Sequence, residues 1–134
     1  MKKNNYLPIV WFILGFGIFM STRASNFIPH WGAAIIIAPI FILSFIRSQP
    51  TRKGILLTLL GFILSLNIAM WGLFTTGDPT TTIIYNLVRN SVLAILFSIP
   101  YIADRLIYPK IKANQFLATL AFPIAVTAIQ FLIS

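Results

Sequence analysis

The chain has no cysteine and no glutamate, and among its 134 residues it has only two aspartates, Asp78 and Asp104, and one histidine, His30. Without thiols there is no disulfide framework, no thiolate metal site and no cysteine nucleophile. A single histidine cannot build a metal site, and no carboxylate lies near it in sequence to orient it as a base. No cofactor is implied. Charge is scarce as well: 9% of residues are charged against 58% hydrophobic, and mean hydropathy is +0.91. A soluble domain carries roughly a quarter charged residues and needs them to cover its surface. Disorder is excluded by the same hydrophobicity. The composition points to an integral membrane protein, with room for roughly four to six spans of about 20 residues each.

Five apolar runs predict a single-domain, all-α polytopic membrane bundle with spans near 6–22, 28–46, 54–74, 83–103 and 116–133. Each run is apolar around the whole helix, as lipid-facing helices are. Helix is the only conformation that satisfies the backbone of such isolated runs in hydrocarbon. Asn26 reads as an N-cap before Pro29 in the first turn of the second helix, and Gly77-Asp78-Pro79-Thr80 as the start signal of the fourth. Pro39, Pro100 and Pro123 lie inside spans, where each removes a backbone hydrogen bond. Gly15 and Gly17, and Gly54 with Gly61, offer smooth faces for close helix packing. Asn67 and Gln130 are read as donors between helices.

Basic residues set the orientation. Eight of the ten, Lys2, Lys3, Arg47, Arg52, Lys53, Arg105, Lys110 and Lys112, fall in three segments that share one side of a five-span chain. The positive-inside rule then places the N-terminus in the cytoplasm and Ser134 outside, in a cell membrane crossed several times. The same rule and anionic lipid account for the net charge of +8, so nucleic acid is not implied as a partner. A signal peptide cleaved after Ala24 is disfavoured by Arg23 beside the site and by bulky aromatics in the run.

Arg89 is the one charge within a span. Tyr85 and Asn86 share its helical face, and Asn90 is adjacent. Two readings stay open: an anion or lipid-phosphate site with the asparagines as orienting donors, or an arginine that snorkels to the outer head groups. Trp31 and His30 read as anchors at the outer interface. Asp104 and Arg105 read as anchors at the cytoplasmic one, with Asp104 facing Tyr108 and Arg105 facing Tyr101 along the helix.

Three stretches add a resemblance: Ile28-Pro29-His30-Trp31-Gly32-Ala33-Ala34 leading to Ala38-Pro39-Ile40-Phe41 and Phe45-Ile46-Arg47; Ile99-Pro100-Tyr101-Ile102-Ala103-Asp104-Arg105-Leu106 followed by Pro109-Lys110; and Thr119-Leu120-Ala121-Phe122-Pro123-Ile124-Ala125. In order and spacing they resemble the N-terminal membrane part of bacterial apolipoprotein N-acyltransferases and related proteins that join a membrane bundle to a carbon–nitrogen hydrolase (nitrilase-like) domain. The resemblance implies an inner-membrane module that anchors, or presents lipid to, an extracytoplasmic hydrolase domain. That family uses a glutamate–lysine–cysteine triad, and two of those residue types are missing here, so no catalytic residue carries over and the chain is not an enzyme by itself. The short polar end at Ser134 suggests a fragment of a longer product. The partners implied are membrane lipids and a hydrolase domain or other membrane subunits. The alternatives are a small oligomeric transport or channel subunit and a purely structural membrane partner.

Overall fold

The computed structural model describes residues 6–22 and 28–133, without the side chains of Gln115 and residues 130–133. Lys2, Lys3, Arg23, the Ala24 cleavage position, the Asn26 cap, the Gln130 side chain and Ser134 lie outside the described residues. Five helices follow in order: α1 Leu7–Met20, α2 Ala34–Ser48, α3 Thr51–Ala69, α4 Pro79–Ile111 and α5 Gln115–Ile133. No strand occurs among the described residues.

Consecutive helices run antiparallel. Only Gln49 and Pro50 separate α2 from α3, and residues 112–114 separate α4 from α5. One end of the bundle therefore holds the start of α1 and the α2–α3 and α4–α5 connections. With Arg47, Arg52, Lys53, Arg105, Lys110 and Lys112 it is the basic end. The opposite end holds the α1–α2 and α3–α4 connections.

Besides α3, which starts three residues before 54 and ends five before 74, the helix limits depart from the apolar runs in two places. Residues 28–33 are not helical, so α2 starts six residues later than 28. Pro29 restricts Ile28 to extended backbone. The connection is then tied back to α1 by the Trp31 amide, which donates to the Ser21 carbonyl at 2.8 Å. The second departure is α4, which has 33 residues and a length of about 50 Å. It starts at the Asp78 cap, where the carboxylate accepts from the Thr81 amide at 2.7 Å with Pro79 in the first turn. It then runs past Asp104 and Arg105 through Pro109 to Ile111. Between α3 and α4, Gly72 and Gly77 adopt φ of 74° and 84°, backbone that only glycine takes at little cost.

The core is a train of aromatic rings. Phe12 packs on Phe16 and Phe45, Phe16 and Phe19 meet Phe62 edge-on, Phe62 meets Tyr101, and Tyr101 meets Phe122. The train joins all five helices through rings at centroid distances of 4.7–5.2 Å. Glycines make room for it. A Cβ on Gly61 would stand 2.5 Å from the Phe16 ring, and one on Gly15 would stand 2.8 Å from the Ile42 side chain. Gly54 lies against the Ile46 carbonyl, whereas Gly17 has open space beside it and is no packing contact. Asn67 is not a donor between helices: its amide donates to the Ile63 carbonyl of its own helix at 2.9 Å.

Outside this core every helix shows large apolar side chains. Ile13 is 63% exposed, Ile36 73%, Leu64 59%, Val88 59% and Ile124 60%. Among the described residues, two helices, α3 and α4, are long and apolar enough to cross a membrane. The 14 residues of α1 and 15 of α2 give about 21 and 22 Å of helix, short of a hydrocarbon thickness of about 30 Å.

Candidate functional site

Arg89 and Asn86 converge on one loop residue at the end opposite the basic one. The Asn86 amide donates to the Phe74 carbonyl at 2.9 Å, and the Arg89 guanidinium lies 3.9 Å over the Phe74 ring. The spacing of three residues brings both side chains to the α3–α4 connection. Asn86 is buried, one of its N–H groups is engaged, and its Oδ1 has no partner among the described residues. Asn90 is also buried with its Oδ1 unpartnered among the described residues, as is Nη1 of Arg89. Tyr85, 49% exposed, stands on the outer surface. Of the four residues grouped by sequence, the structure joins Asn86 and Arg89 through Phe74.

At the same end His30 and Trp31 lie exposed in the 28–33 connection. At the basic end the expectation for Asp104 is corrected. It is not a surface anchor but fully buried, held by Arg47 of α2. Nε of Arg47 donates to Oδ2 at 2.8 Å and Nη2 to Oδ1 at 2.6 Å. Tyr108, one turn after Asp104, does share its face, but its ring lies 4.1 Å under the Arg47 guanidinium. Arg105 donates from Nη2 to the Gln49 carbonyl at 2.6 Å and so fastens the α2–α3 connection. Sequence reasoning missed Arg47. A fully buried carboxylate needs a cation, but the local sequence does not reveal which of several it takes.

Between these ends lies an apolar cleft of about 430 Å³. Phe19 of α1, Ala38 of α2, Leu93 and Phe97 of α4, and Phe122 and Val126 of α5 form its walls. Its walls are almost wholly hydrocarbon, so the arrangement suits an alkyl chain rather than a polar reactant. No group of three metal-ligating side chains stands together among the described residues.

No family model, no curated protein and no solved structure matches the chain.

Proposed function

We propose that the chain is a multi-pass module of the cell membrane, without catalysis of its own, that holds a lipid acyl chain and anchors an extracytoplasmic carbon–nitrogen hydrolase domain not contained in it. The observation that carries the lipid-holding role is the apolar cleft among α1, α2, α4 and α5. In water such a cleft, on a bundle whose outer surface is also apolar, would be a liability. In a bilayer both are solvated by the same chains.

The membrane reading is supported by two helices long enough to span and by exposed aliphatic side chains on all five. In this reading the short α1 and α2 span a locally thinned bilayer, at a modest cost per ångström of mismatch. The 28–33 connection then sits at head-group level with Trp31, where non-helical backbone is tolerated. Clustering of cations at one end supports five crossings with that end in the cytoplasm. The sequence resemblance to the membrane part of apolipoprotein N-acyltransferases supports the anchoring role.

A phospholipid carrying a photoreactive group in its acyl chain tests the lipid-holding role. Cross-links are expected at Leu93, Phe97 and Val126. Labelling spread evenly over Leu56, Leu60 and Leu64 on the outer face of α3 would reject it. Alkaline phosphatase fused after Ser134 tests the topology, and an inactive fusion would reject an external C-terminus.

A further inference from the structure

A second cleft, of about 610 Å³, opens at the basic end between the last turn of α2, the end of α4 and the first turns of α5. Arg47, Tyr108 and Lys112 line it together with the apolar Leu43, Phe122 and Pro123. Arg47 is fixed there by its two bonds to Asp104 and by the Tyr108 ring, and Nη2 also reaches the Ala118 carbonyl at 3.4 Å. Its Nη1 edge has no partner among the described residues, and the side chain is 27% exposed. Asp104 cancels the charge of Arg47, so the net positive charge comes from exposed Lys112 at the end of α4. A rigid guanidinium edge and a mobile ammonium are the donors that recognise a phosphate.

The apolar lining decides what carries that phosphate. Inorganic phosphate needs donors and has no use for Leu43, Phe122 and Pro123. Phe122 lines both this cleft and the apolar one, so the two adjoin at its ring on α5. From Ala118 to Ile129 that helix rises about 16 Å, close to the roughly 15 Å hydrocarbon depth of one leaflet. The geometry points to a site for an anionic phospholipid of the leaflet at the basic end, with its phosphate on Arg47 and Lys112 and its acyl chain running past Phe122. This rests on the membrane reading above and adds the head group and the leaflet.

The test uses the full chain in mixed micelles of phosphatidylglycerol and phosphatidylcholine with identical acyl chains, followed by mass spectrometry of the intact protein with its retained lipid. Phosphatidylglycerol should be retained preferentially. Lys112→Ala should lower that preference about fivefold, the effect of one basic residue near a lipid surface. Lys110→Ala, two residues earlier and outside the cleft, should keep it. Equal retention of the two lipids, or an undiminished preference in Lys112→Ala with native helicity, overturns the site while leaving the membrane reading intact. Equal loss of preference in both lysine variants overturns it in favour of general surface charge. Inorganic phosphate binding alone as tightly as phosphatidylglycerol overturns the lipid assignment. A chain that stays monomeric without detergent and retains neither lipid overturns the membrane reading itself.

Discussion

Arg47 and Asp104, 57 residues apart, meet through two parallel hydrogen bonds of 2.8 and 2.6 Å. The pair ties the end of α2 to the inner face of α4, with Asp104 fully buried and Arg47 partly open to the basic-end cleft. A carboxylate in that place is tolerable only with its cation. Arg47→Met should therefore destabilise the bundle by about 3–5 kcal/mol, because it strands a buried charge. Replacing both members, Arg47→Met with Asp104→Leu, should recover most of the loss. Unfolding midpoints in detergent for the two single variants and the double variant measure this. An additive double variant would show that the pair is not coupled.

Helix contacts give a second expectation. Gly61→Ala puts a methyl group into the Phe16 ring and must move a residue that itself packs on Phe62. Overpacking of this kind costs about 1–3 kcal/mol. Gly17→Ala meets open space and should be neutral or gain up to about 1 kcal/mol from helix propensity. The contrast between two glycine-to-alanine changes in the same detergent separates packing from propensity. Equal effects would remove the close contact from the account.

How far the fold can be read from sequence depends on whether the signal is local. The start of α4 is legible because Asp78 and Pro79 cap it from within one turn. The α5 limits fall within one residue of the apolar run for a similar reason, with Asn114 accepting from the Leu117 amide at 3.2 Å. The end of α4 is not legible. Asp104-Arg105 looks like a polar stop, yet Arg47 and the Gln49 carbonyl supply partners from a distant part of the chain, and the helix continues through Pro109. Nor is the start of α2, because the bond from Trp31 to Ser21 that holds 28–33 out of the helix joins residues across a connection. Of the candidate site, the link between Asn86 and Arg89 follows from helical spacing. Their common target Phe74 and the Arg47–Asp104 pair are tertiary facts.

The cap on α4 carries a pH dependence. Backbone and side-chain hydrogen bonds from Thr81 hold the Asp78 carboxyl below its ordinary value. A carboxyl lowered in the folded state contributes stability that is present above its unfolded pKa, near 3.9, and is lost as pH falls through the lower native value. Protection of the Thr81 amide, measured against the free-amide rate at each pH, should therefore hold down to about pH 4 and fall below it. In Asp78→Asn the side-chain oxygen still caps the helix, but the change with pH should disappear. Persistence of the same acid-induced step in Asp78→Asn would assign it to another group.

Arg89 and Asn86 supply the last prediction, which separates a fastening from an anion site. Both act on Phe74, one through the ring and one through the carbonyl. Asn86→Leu removes the donor to a loop carbonyl and should cost about 1–3 kcal/mol. Arg89→Leu loses a cation–π contact worth about 0.5–2 kcal/mol. Both variants should show faster hydrogen exchange in residues 70–78, and both should retain as much phosphatidylglycerol as the unaltered chain. The opposite pattern, with 70–78 still protected and anionic lipid lost in Arg89→Leu, would return this residue to phosphate binding. Arg89→Lys makes the distinction sharper. A lysine keeps a charge for phosphate but lacks the flat guanidinium that lies over Phe74. If fastening is the role, the lysine variant should therefore loosen the connection nearly as much as the leucine one.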